Sequence, residues 1–299
     1  MRILWAVLWT MLLASVVSEP TIRAAGSCEA LSSLTLPDTT ITLAQVVAAG
    51  AFSRPQIGPG ASERAFSNSV SFCRVAATLK PSAGSDIKME VWLPLSSWNG
   101  KFQGVGNGGW AGMLNYPLMS AALANGYATA STDTGHMGGN ASFAIGHPDT
   151  VVDFGYRAVH EMTLKSNAIV RALYERAPRL SYWNGCSTGG RQGLMEAQRY
   201  PEDFDGIIAG APANNQTQLC AWRIAVEATI LQHPASIVPP AKLAAVNRAV
   251  LAACDALDGV TDGLLTDPHQ CHFDRGFAAQ YPTRGSVAEP ADTWDPEVG

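Results

Sequence analysis

Charge is scarce in this chain, and what there is leans acidic. Charged residues make up 15% of 299 positions, and the formal net charge is −5. No basic run or Lys/Arg stripe is present, which argues against nucleic acid as a partner. Internal repeats and low-complexity blocks are also missing, which excludes solenoids and tail-like segments. Beyond residue 17 no apolar stretch is long enough to cross a bilayer, so no stable membrane insertion is expected of the remaining chain. What remains is 47% hydrophobic and long enough to bury a sizeable core in one large domain, with or without an insertion.

The N-terminus differs in texture. MRILWAVLWTMLLASVVSEP carries one early Arg and then an apolar run from Ile3 to Val17. Roughly 15 apolar residues fall short of the ~20 that a spanning helix needs, so residues 1–25 read as a secretory signal. Ser18, Ala24 or Ala25 would each suit a small-residue cleavage rule. An exported chain, secreted or periplasmic, makes disulfides the expected state of its six cysteines.

From residue 87 onward, strand-like runs alternate with helical patterns. IKMEVWLP (87–94), KFQGVGNGG (101–109, running into a glycine loop), YATASTDTG (127–135), LSYWNGCS (180–187) and FDGIIAGAPA read as strands. Helices are expected over 117–125, over 150–177 as one long amphipathic stretch, and over 188–200. The alternation predicts an α/β fold with a mostly parallel sheet, occupying residues 26–213. After Ala213 the texture changes: an Ala-rich, helix-prone stretch to 256, a Cys- and Asp-rich loop over 254–275, and a weakly patterned end. Residues 214–299 therefore read as the start of a lid-like insertion.

Gly185-Cys186-Ser187-Thr188-Gly189 fits G-x-S-x-G where a predicted strand meets a predicted helix. Such a turn holds a serine in a strained backbone conformation and lifts its hydroxyl out of the sheet. The N–H of Thr188 would face a developing oxyanion. A second donor would come from GVGNGGWAG (104–112), with Gly108 and Gly109 as candidates. The same stretch nearly matches the dinucleotide pattern G-x-G-x-x-G, but no helix opens directly from it and Trp110 would crowd a pyrophosphate.

CDALDGVTDGL (254–264) places Asp255, Asp258 and Asp262 within eight residues. Carboxylates so close repel unless a cation joins them, and hard oxygens on a glycine-bearing loop suit Ca²⁺. A solvated acidic turn explains the residues equally well. Cys254 and Cys271 flank this loop and are expected to pair, worth about 3 kcal/mol by loop closure. Cys28–Cys73 is the next plausible pair, and Cys220 has no obvious partner.

WNGKFQGVGNGGWAG (98–112), STDTGH (131–136), DFGYRAVHEMT (153–163), NGCSTGGRQGLMEAQRYPEDFDGIIAGAPA (184–213) and CDALDGVTDGL occur in this order. Together they resemble the tannase and feruloyl esterase family. The resemblance implies an exported serine esterase with an α/β-hydrolase core and a large lid, acting on esters of aromatic acids of galloyl or feruloyl type. It implies Ser187 as nucleophile, and Thr188 with a glycine of the 106–109 loop as oxyanion hole. It also implies a structural Ca²⁺ on Asp255, Asp258, Asp262 and the carbonyls of Val260 and Leu264. Cys186 resembles a cysteine that bridges to another beside the catalytic histidine; from the residues alone it is equally a small buried filler.

The base is the gap. In α/β-hydrolases the order is Ser, then Asp or Glu, then His. His136, His147 and His160 precede Ser187, whereas His233, His269 and His272 lie in the suspected lid, none followed by a cysteine. His136 is expected to support the pocket and His160 to be a packing or surface residue. The expectation is an incomplete sheet, truncated before the catalytic Asp and His. The alternative is a non-catalytic exported Ca²⁺-binding protein on a degenerate hydrolase fold.

Overall fold

A computed structural model describes residues 26–53, 68–110, 112–233, 237 and 239–273. The signal-like residues 1–25 and the end of the chain from 274 lie outside the described residues. Strand β1 (Thr39–Val47) leads the sheet, followed by β2 (Phe72–Leu79), β3 (Ile87–Pro94), β4 (Lys101–Val105), β5 (Ala128–Thr132), β6 (Leu180–Cys186) and β7 (Gly206–Gly210). Their order across the sheet is β1-β2-β3-β5-β4-β6-β7. The β1–β2, β2–β3 and β3–β5 pairs are antiparallel; β5–β4, β4–β6 and β6–β7 are parallel. Hence β2, β4, β5, β6 and β7 run one way and only β1 and β3 oppose them: a mostly parallel sheet, of the α/β-hydrolase type.

The period-2 alternation of a strand sorts side chains onto two faces. Val75, Ala77, Met89, Val91 and Leu93 join one core with Met162, Ile169, Val170 and Leu173 of helix α3 (Ala158–Tyr174). Phe72 and Trp92 point the other way, into a core with Tyr116, Met119 and Leu123 of α1 (Tyr116–Ala124). In β5 every residue is buried, and all five are Ala, Ser or Thr, small enough for helices to close on both faces.

The long helix expected over 150–177 is composite. Short α2 (Pro148–Val152) runs through a π-helical turn (Asp153–Arg157) into α3, which stops where Glu175 adopts φ 58°. A disulfide between Cys28 and Cys73 fastens the 3₁₀ turn Glu29–Ser33 to β2. Helix α4 (Thr188–Arg199) connects β6 to β7.

Contacts divide the chain after Asn214. The second unit contains α5 (Gln216–Gln232), α6 (Pro240–Cys254), a 3₁₀ turn Asp255–Asp258 and a loop closed by Cys254–Cys271. Both cysteine pairs expected from the sequence are formed.

Candidate active site

Ser187 sits at the tip of β6, between β4 and β7, as the cap of α4. Its φ is 59° and ψ −116°, a region that a residue with a Cβ enters only under constraint. The constraint is visible. Ser187 N donates to Gly210 O at 3.0 Å, and Ser187 O accepts from Arg191 N at 3.0 Å and Ala213 N at 2.9 Å. The backbone is therefore pinned by β7 on one side and the first turn of α4 on the other. Ser187 is exposed, and so are Gly108 and Gly109.

The glycines flanking this turn are there for close approach. A Cβ on Gly106 would lie 2.5 Å from the Gly189 Cα, and one on Gly185 would overlap the Gly189 backbone. Because strand, loop and helix cross at these points, the β4 loop reaches the start of α4 directly. Gly189 N donates to Asn107 O at 2.9 Å, and Thr188 Oγ1 donates to Gly109 O at 2.7 Å. Among the described residues the N–H groups of Gly108, Gly109 and Thr188 have no backbone partner. Free amides beside a helix N-terminus are the elements of an anion-stabilising site.

Asn107 holds this loop in place. Its side chain donates to Met113 O and Thr132 O, both at 2.8 Å, and exchanges bonds with Gln192. Asn115 Nδ2 donates to Gly106 O at 2.8 Å, and buried Trp183 donates to Gly189 O at 2.9 Å. Arg191 reaches back to Phe154 O and Gly155 O, two carbonyls that the π turn leaves accessible.

Sequence profiles place the chain among known proteins. The model of the family described as tannase and feruloyl esterase matches residues 73–294. The chain belongs to this family. An uncharacterized esterase of Xanthomonas campestris is 42% identical over 257 residues, covering 85% of this chain and 43% of the relative. A probable feruloyl esterase B-1 of Aspergillus fumigatus is 40% identical over 205 residues, covering 68% of this chain and 39% of the relative. Among solved structures, feruloyl esterase B from Aspergillus oryzae superposes with TM-score 0.71 at 34% identity, covering 82% of this chain and 49% of that one. Another esterase from Aspergillus oryzae gives TM-score 0.75 at 30% identity, covering 84% and 50%. The chain spans half or less of the length of these relatives.

Within this tannase-type scaffold, His136 packs against the end of the glycine loop. It is buried, and its Nε2–H donates to Trp110 O at 2.8 Å, which settles the tautomer because a carbonyl only accepts. Its ring stacks on Phe143 at 3.8 Å. Nearby Asp133 is buried and accepts from Lys88 N and Gly135 N; burial pushes its carboxyl up to about 7. No described histidine hydrogen-bonds Ser187. His160 lies elsewhere, against Asp203. Cys186 is a free, exposed thiol and Cys220 is free as well.

In the second unit the three loop aspartates turn back on their own backbone. Asp255 accepts from Gly263 N, Asp258 from Val260 N and Thr266 Oγ1, and Asp262 from Leu264 N. Gly259 and Gly263, at φ 90° and 82°, let the loop double back. Asp255 is buried and the others are exposed. Among the described residues these three carboxylates are not gathered into one cluster: each is bonded to its own loop rather than turned toward the others.

Asn107, Asn115 and Gln192, which brace the loop between β4 and α4, were not singled out from the sequence. Asn107 stood within the glycine loop, but its partner Gln192 is 85 positions away. The only local signal was the polar Asn inside G-V-G-N-G-G.

Proposed function

We propose that this chain carries the nucleophile-bearing part of an exported serine esterase that hydrolyses esters of phenolic acids. The observation that carries the reading is the positive-φ Ser187, exposed between β6 and α4, on a chain whose Gly108, Gly109 and Thr188 amides have no backbone partner among the described residues. Ser187 Oγ attacks the ester carbonyl, and its proton passes to a histidine base. The oxyanion is held by the N–H of Thr188 and by Gly108 or Gly109. The base returns the proton to the leaving alcohol, and water then releases the aromatic acid from the acyl-enzyme. His136 is not assigned that role: it is buried, its unprotonated Nδ1 lies against Thr134 Oγ1, and no hydrogen bond joins it to Ser187. The Asp–His pair is assigned to the part of the relatives' length that this chain does not span, since all six histidines of the sequence lie among the described residues.

Asp255, Asp258 and Asp262, with the carbonyls of Val260 and Leu264, would hold a structural Ca²⁺ that neutralises the loop. The two disulfides support an oxidising location, secreted or periplasmic. Residues 214–299 are assigned to a lid, and Cys186 to a bridge with a cysteine that this sequence does not contain.

A fluorophosphonate probe and an aryl-ester assay test the reading, on this chain and on a version extended to the length of its relatives. Labelling at Ser187, lost with turnover in Ser187→Ala, supports it. An extended, folded protein that is unlabelled, or whose Ser187→Ala variant hydrolyses aryl esters unchanged, overturns it in favour of a non-catalytic cation-binding protein.

A further inference from the structure

A second cluster of reactive side chains lies away from Ser187, at the far end of α4. Glu196 stands eight residues into that helix from Thr188, about 12 Å along its axis. Its side chain is fully buried, and no described N–H or O–H donates to either carboxyl oxygen. What it faces is another acid, Asp203, in the turn between α4 and β7, also buried. On the other side of Asp203 stands His160 of α3, its Nδ1 at 2.7 Å from Asp203 Oδ2. Tyr200 stacks on the imidazole at 3.7 Å and fixes its plane.

Two carboxyls in one dry space must share something positive. One ligand atom from each of His160, Glu196 and Asp203 lies within 4.8 Å of the others. In a tetrahedral Zn²⁺ shell the ligand atoms stand about 3.3 Å apart, so the set closes by drawing in by up to ~1.5 Å. The His160 side chain keeps 19% exposure, which leaves a way in for an ion and a water. Calcium and magnesium favour all-oxygen shells, whereas one imidazole with two carboxylates suits zinc or manganese.

We propose that His160, Glu196 and Asp203 form a binding site for a divalent transition ion of the Zn²⁺ type, fastening the C-terminal end of α4 to α3. The ion replaces the proton shared along the cluster and releases it to solvent. The site is independent of the esterase chemistry and of the aspartate loop.

The test uses the full 299-residue chain, stripped with chelator, its free thiols alkylated, and held in excess Ca²⁺ so that all-oxygen sites are filled. Zn²⁺ binding is then measured by equilibrium dialysis with elemental analysis and by thermal melting. Glu196→Gln is the key variant: its amide can donate to Asp203, so the fold survives while one anionic ligand is lost. The expected result is one Zn²⁺ per chain with a raised melting temperature, and affinity lowered ~10–100-fold or more in Glu196→Gln and in His160→Gln. Zinc binding that is the same in Glu196→Gln as in the parent, or a parent that retains none at micromolar Zn²⁺, overturns the proposal and leaves a proton-bridged acid pair.

Discussion

Gln192 and Asn107 hold each other by two reciprocal hydrogen bonds: Gln192 Nε2 donates to Asn107 Oδ1 at 2.9 Å, and Asn107 N donates to Gln192 Oε1 at 3.1 Å. One residue belongs to the glycine loop after β4, the other to the second turn of α4. Both are buried. Their contact fixes the distance between the two sets of amides that flank Ser187.

Gln192→Leu should therefore act on turnover more than on binding. The Asn107 main-chain N–H would lose its acceptor and the Asn107 Oδ1 its donor in a buried place, a loss of about 1–3 kcal/mol in stability. The loop amides would drift from Thr188, and a displacement near 1 Å is enough for a ~100-fold fall in rate. In the extended esterase, kcat on an aryl ester should drop with KM little changed. A raised KM with kcat unchanged would place Gln192 in substrate binding instead.

The glycine contacts make a sharper prediction about folding. Gly106→Ala meets the Gly189 Cα at 2.5 Å, backbone against backbone, with no flexible side chain to yield. Overpacking of this kind costs about 1–3 kcal/mol or more, and the variant should lose soluble yield and melt early. Gly108→Ala, two residues along, has nothing within 4 Å and no positive φ, and should melt within a degree or two of the parent. Equal melting of the two variants would refute the crossing geometry.

These contacts mark the limit of what the sequence could reveal. G-x-S-x-G, the strands from 87 onward and the Cys254–Cys271 pair depend on near neighbours, and the chain spells them out. β1 and β2 went unassigned. β1 is an edge strand whose alternate residues meet solvent, and FCRVAATL carries small residues that give little pattern. The π turn inside 150–177 keeps a helical apolar spacing; only Arg191, arriving from α4, answers its freed carbonyls. His160, expected as a packing or surface residue, does stack on Tyr200, and it is also bonded to Asp203 from 43 positions away, a long-range relation invisible to spacing.

Asp133 gives a pH signature. Its native carboxyl titrates near 7, raised chiefly by burial, while the unfolded chain has the ordinary carboxylate value. Between about pH 4 and 7 the native state thus binds more protons than the unfolded one, and stability falls as pH rises, by at most ~1.4 kcal/mol per unit. Both backbone donors meet the same oxygen, Oδ1, so Asp133→Asn keeps the two bonds and loses the charge. Urea midpoints across pH 4–7 should show a flatter profile in the variant and a higher stability than the parent at pH 7. A parent profile no steeper than that of Asp133→Asn would mean that Asp133 is ionised throughout.

The two disulfides should differ in their response to reductant, and calcium should widen the difference. Cys28 and Cys73 are both buried, at 3% and 0% exposure, one of them inside a strand. Cys254 is buried but Cys271 is half-open, in a loop with few partners. Mild reductant should open Cys254–Cys271 first, seen by differential alkylation and mass spectrometry, with Cys186 labelled even before reduction because its thiol is already free and exposed. Calcium bound to Asp255, Asp258 and Asp262 would hold the first part of the same loop, next to Cys254. At 100 times its dissociation constant it stabilises the bound fold by about 2.7 kcal/mol, so reduction at this bridge should slow by up to ~100-fold on adding Ca²⁺ after chelator, provided opening requires release of the ion. Asp258→Asn should abolish that protection while leaving Cys28–Cys73 unaffected. Protection that persists in Asp258→Asn, or that magnesium gives equally well, would detach calcium from this loop.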